Sequence, residues 1–249
     1  MELLELRGTA IEVVRRDIKH VHLSVHPPAG RVRISAPRNT KLDSLRLFAI
    51  QKLGWIRTQQ LRMQTQERET PRSFLDRESH FVWGRRLLLR VVEAEGSPWV
   101  ELRPRNLVLH VRKGSSTERR AALVESWYRD QLRAAAAPRI DHWVRVLGVK
   151  KPSLHVQRMR TKWGTCNRES GRLRLNTWLA KKPTECLDYI VLHELAHLRV
   201  ADHGPRFVAI LDEYMPAWRR VRERLNRLPT GPESWGDTHS PRAESTTAR

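Results

Sequence analysis

Apolar and polar residues alternate over short runs in the first third of the chain. Residues 9–16, 20–26 and 31–36 carry β-branched side chains at partial period two and predict strands, the last two joined by a turn at Pro27-Pro28-Ala29-Gly30. The period then changes. Leu42, Leu45, Phe48, Ala49, Leu53 and Ile56 recur at helical spacing, which predicts a helix capped by Thr40, with Asp43 in its first turn, running to about Gln66. A breaker-rich connector over 70–79 leads to short strands at 81–83, 87–92, 99–102 and 107–111. From Thr117 a helical face forms through Ala121, Val124, Trp127, Tyr128 and Leu132 and continues through Ile140, Trp143, Val144 and Leu147. Pro138 is expected to kink or divide this helix, and Gly148 to end it. Strands at 154–159 and 172–179 flank an expected loop at 163–167. A helix opening at Pro183 runs through Leu198, and a last one covers 205–225. Beyond Pro229 the chain is polar and predicted to be disordered, and no internal repeat is evident in the sequence. The expected architecture is α+β: a β-rich region with a helix over 1–115, a helical core beside a small antiparallel sheet over 116–228, and a tail over 229–249.

Composition changes this picture only in part. Among 249 residues, 39% are hydrophobic and 30% charged, as in a folded domain. Apolar stretches are broken by Arg or Lys well short of a membrane span, and the N-terminus lacks the continuous apolar region of a signal peptide, so no membrane is expected and a cytoplasmic location is the default. Cys166 and Cys186 lack the paired spacing of a structural zinc site and are read as reduced thiols. The net charge of +20 favours polyanionic partners, nucleic acid among them. Because the charge is spread along the chain, solvated arginine-rich faces account for it equally well.

The candidate chemistry lies at 193–197, His-Glu-Leu-Ala-His. Histidines at i and i+4 project from one face of a helix and can share a metal ion. Glu194 is rotated aside by about 100° and can act on water there without becoming a ligand. Ile190, Val191, Leu192 and Leu195 make the helix apolar, and a buried cluster of two histidines and a glutamate requires a partner such as a cation. For a third ligand the residues offer His203, which the turn at Gly204-Pro205 would swing back, and Glu213 farther on. Three protein ligands with one open position are the pattern of a catalytic zinc site, with Glu194 as general base for peptide hydrolysis. Cys166 reads as a small packed residue, Asn176 and Trp178 as parts of the site wall or core, and Tyr189 as a packing residue one turn before His193.

The run 193–198, followed by His203 and Phe207, resembles the YgjP-like metallopeptidase domain, a relative of the SprT-like and WLM zinc proteases. The resemblance continues upstream. Lys162-Trp163-Gly164-Thr165-Cys166 is similar to that family's W-G-S-C segment with Thr165 in place of serine, and 174–179 to its L-N-W-x-L strand with Thr177 inserted. Tyr214-Met215-Pro216, Ile34-Ser35-Ala36-Pro37 and Trp55-Ile56 also fit. The resemblance implies Zn²⁺ held by His193, His197 and His203, Glu194 as catalytic base, and a protein or peptide substrate. It further implies an edge strand at 172–179 that receives the substrate by strand addition. SprT-like relatives act on proteins at DNA, which gives the positive charge a possible use by analogy.

Overall fold

The computed structural model describes residues 2–26, 30–65, 69–159, 162–229 and 231. The expected turn at 27–29 and nearly all of the expected tail lie outside the described residues. Strands β1 (Glu2–Leu6), β2 (Thr9–Arg16), β3 (His22–His26) and β4 (Arg31–Pro37) form a mixed sheet in the order β1-β2-β4-β3. Alternate residues Ile11 and Val13 of β2, and Val32, Ile34 and Ala36 of β4, are buried, as a half-covered sheet requires. Helices α1 (Leu42–Gln51) and α2 (Leu53–Thr65) follow; Leu45, Ala49 and Ile56 bury against the same core. The N-cap of α1 is Lys41 with no side-chain bond, so Thr40 does not cap it, and the helix expected to be continuous is interrupted at Lys52.

A second mixed sheet repeats the first. Strands β5 (Ser79–Val82), β6 (Arg85–Glu93), β7 (Trp99–Leu102) and β8 (Asn106–Val111) lie in the order β5-β6-β8-β7. In each sheet an antiparallel hairpin leads to a parallel pair, β2 with β4 and β6 with β8, whose second strand also takes an antiparallel partner. Each opening hairpin turns on two residues at positive φ, Arg7-Gly8 (48° and 78°) and Trp83-Gly84 (50° and 78°). That is the backbone of a type I′ turn, whose twist matches the strands. A helix follows each sheet. The topology is thus duplicated where no repeat was evident in the sequence.

Helix α3 (Thr117–Leu147) is capped by the Ser116 hydroxyl, which accepts from the Arg119 N–H, and ends at Gly148 with φ 61°. Pro138 does not divide it: α3 is one helix of 31 residues. A proline deprives the preceding turn of a donor, and the Arg139 guanidinium supplies one nearby, reaching the Ala135 carbonyl at 2.8 Å. The same side chain is ion-paired with Asp188 at 2.8 Å, tying α3 to the next helix.

The third sheet has the order β10-β11-β9, from β9 (Ser153–Gln157), β10 (Gly164–Asn167) and β11 (Arg172–Asn176). Three expectations change here. The loop at 163–167 contains a strand, because 164–167 pair antiparallel with 172–175. The strand at 172–179 stops at Asn176, whose side chain accepts from the Trp178 N–H and starts a 3₁₀ turn, Thr177–Lys181. Finally, β11 is the central strand, parallel to β9 on its other side, so the sheet is mixed, not antiparallel, and the free edge beside the site belongs to β10.

Helix α4 (Thr184–Ala196) has buried residues all round, from Cys186 to Ala196, as expected for a helix packed on every side. The β5–β6 turn sits on its entrance. Trp83 N–H donates to Ala180 O (2.8 Å) and Gly84 N–H to Lys181 O (3.2 Å). The expected last helix is two, α5 (Pro205–Tyr214) and α6 (Trp218–Arg227), broken at Met215-Pro216, where the proline cannot continue the hydrogen-bond ladder. Buried apolar residues form one cluster from Leu4 to Ile56 and another from Val82 to Leu225, so the second sheet shares its core with the C-terminal helices. Among the described residues no helix is long and apolar enough to cross a membrane.

Candidate metal centre

Helix α4 delivers His193 and Glu194, and its C-cap residue, His197, lies just past the last regular turn. The chain then reverses, and His203 returns from the turn before α5. His193, His197 and His203 each offer a ring nitrogen, all within 4.8 Å of one another. The Nε2 atoms of His193 and His203 are 3.2 Å apart. Two imidazole nitrogens sharing a tetrahedral zinc with arms of about 2.0–2.1 Å would be about 3.3 Å apart. The spacing therefore fits a shared ion, and it equally fits an N–H···N bond between the rings. His197 Nδ1 donates to Val200 O at 3.2 Å, which fixes the tautomer and leaves Nε2 as the ligand atom. Among the described residues His193 Nδ1 is buried without a hydrogen-bond partner. Burial and the neighbouring imidazoles pull His193 down to about 3, and burial lowers His197, so both rings are held in the neutral form that binds metal. Phe207, on the first turn of α5, supports all three rings, with centroids 5.0, 4.7 and 4.8 Å from those of His193, His197 and His203.

Glu194 is 7% exposed. Burial pushes its carboxyl up to about 7, against the opposing pull of the Cys166 backbone N–H and the Lys162 ammonium. Strand β10 passes directly over it: a Cβ on Gly164 would lie 2.8 Å from Glu194 Cγ and 3.0 Å from its Oε1. The approach to β10 is pinned by Asn176, whose Nδ2 donates to the carbonyls of Met159 and Lys162, both at 2.9 Å. Tyr189 packs edge-on against His193 and stacks on Trp218, whose Nε1 donates to Asp212 at 2.7 Å. The result is a cleft of about 470 Å³ with β10 on one wall and α4 on the other.

The structure brings His193, Glu194, His197 and His203 to this cleft. Glu213 instead faces a separate depression with Arg199 and Arg206. Cys166 lines the cleft wall, where burial raises its thiol to about 11 and keeps it protonated, and both cysteines are free. The 162–166 segment was marked by its resemblance to the family's W-G-S-C motif, but the approach of Gly164 and of the Cys166 amide to Glu194 was not read from sequence. A glycine in such a strand marks a close backbone approach without saying to what.

Three imidazoles and a buried carboxylate beneath a strand edge make a site of the kind that metallopeptidases use. The chain belongs to the YgjP-like metallopeptidase domain family, whose model matches residues 19–228, and it is by that membership a metallopeptidase. It is similar to the metallopeptidase zymogen abylysin of Pyrococcus abyssi, with 20% identity, a TM-score of 0.34, and coverage of 36% of this chain and 90% of that one. It is also similar to the metallopeptidase zymogen jannalysin of Methanocaldococcus jannaschii, with 22% identity, a TM-score of 0.34, and coverage of 36% and 86%. No curated protein matches the chain.

Proposed function

We propose that the chain is a zinc-dependent peptidase in which His193, His197 and His203 hold the ion and Glu194 is the general base. The convergence of three imidazoles beside a buried carboxylate carries this reading. Three nitrogen ligands with a position left open suit catalytic zinc. When bound, zinc would acidify water and polarise a peptide carbonyl. Glu194, oriented by the Cys166 N–H, takes the proton from the attacking water and returns it to the leaving amine. The free edge of β10 holds the peptide extended across the cleft by main-chain pairing, which keeps the scissile bond beside Glu194. Nucleic acid as the main partner rests on the net charge of +20.

The test pairs metal analysis with casein and peptide cleavage, with and without DNA. Purified protein is expected to carry about one zinc. Glu194→Gln should keep the ion and lose hydrolysis by about 10²–10⁴-fold, and His203→Ala should lose affinity for it. Folded protein that takes up no zinc would sink the proposal. DNA binding that survives metal removal, without cleavage, would favour the polyanion reading.

A further inference from the structure

The cleft wall formed by β10 ends in a cation on both sides. Lys162 precedes the strand and Arg168 follows it, both line the cleft, and both are exposed. Lys162 acts electrostatically on Glu194, and Arg168 on His197. Among the described residues neither is ion-paired with a carboxylate, whereas Arg139 pairs with Asp188, Arg219 with Asp212 and Arg224 with Glu185. The carboxylate lining the cleft is Glu194, which is committed to the chemistry. Asp202, beside His203, is turned to the Gly204 N–H at 2.9 Å.

Six residue steps separate Lys162 from Arg168, a reach of about 20 Å in extended chain. A peptide paired along β10 therefore passes Glu194 at its middle and meets a free cation about three residues to either side. We infer that the site selects acidic peptides, with Asp or Glu flanking the scissile bond on both sides and Lys162 and Arg168 as the specificity-determining residues. This rests on the peptidase reading above. Two cations at the ends of one strand edge match an extended acidic peptide paired along that strand, whose side chains recur at the strand's own repeat.

Three fluorogenic peptides of matched length test it, carrying Asp, Asn or Lys three residues to each side of the cleaved bond. An exposed ion pair is worth a few-fold, so wild type should favour the Asp peptide over the Asn peptide by about tenfold in kcat/KM, with the Lys peptide poorest. The preference should shrink toward unity at about 1 M NaCl. Lys162→Glu with Arg168→Glu should invert the order, and either single reversal should cancel the preference, a result that general damage to the fold would not produce. Fluorescence anisotropy with zinc-loaded Glu194→Gln should give the same order of affinities. Cleavage with no charge preference, or an order unchanged by the reversals, overturns this inference and leaves the peptidase reading standing. Silence toward all three peptides in both assays removes the peptidase reading and this one with it. Displacement of the Asp peptide by short oligothymidylate at lower concentration than by unlabelled Asp peptide would reassign the two cations to nucleic acid.

Discussion

At Gly164 the backbone needs space, not conformational freedom. Its φ is not in the left-handed region, but a methyl group there would meet Glu194 Cγ at 2.8 Å and Ile190 Cγ2 at 3.0 Å. Gly164→Ala must therefore move either β10 or the Glu194 carboxylate, and the carboxylate, on a flexible stem, yields first. Misplacing a reacting group by about 1 Å can cost about 10²-fold in rate. The expected outcome is a fall of that order in kcat/KM with zinc content unchanged, read by steady-state kinetics and metal analysis on one sample. A rate close to wild type would show that β10 does not set the position of Glu194. The convergence of His193, Glu194, His197 and His203 on one cleft was legible because helical spacing and a turn suffice to bring them together. Gly164 and the double donation of Asn176 were not, since both depend on segments meeting across a fold, and no local pattern records such a meeting.

The two opening hairpins offer a comparison between elements. Gly8 and Gly84 have the same φ of 78°, so alanine at either pays the left-handed penalty of about 1–2 kcal/mol. Nothing lies within 4 Å of a Cβ at Gly8, whereas at Gly84 it would lie 2.9 Å from Pro183 Cγ, at the entrance to α4. Gly8→Ala should lower stability by that penalty and leave peptidase activity alone. Gly84→Ala should cost about 1–3 kcal/mol more and also reduce kcat, as thermal denaturation and kinetics would measure. Equal effects on both readouts would mean that the docking on Pro183 carries no weight. The same elements explain where sequence reading stopped. β1 was missed because Arg7-Gly8 lacks the Asn or Asp that usually marks such a turn. Gly164-Thr165-Cys166-Asn167 has no alternation of its own and becomes a strand through its pairing with β11. The long helices, α3 and α4, were plain from periodicity, and only their interruptions and ends were misjudged.

Over the whole molecule, the separation of buried residues into a cluster ending at Ile56 and another beginning at Val82 predicts how the protein responds to metal removal. The histidines lie on or beside the second cluster's helices, and a ligand stabilises only the unit that binds it. Calorimetry is expected to show two transitions, of which chelation lowers one and leaves the other in place. A single transition displaced as a whole would mean that the two clusters melt as one. The free edge of β10 has a further consequence. An unpaired strand edge invites the same edge of another copy, the usual beginning of intermolecular sheets. Two copies meeting antiparallel through β10 would place Lys162 of each near Arg168 of the other, so like charges face at both ends of the joint. On the proposed substrate route, the edge that receives the peptide would thereby carry its own guard against pairing with a second copy.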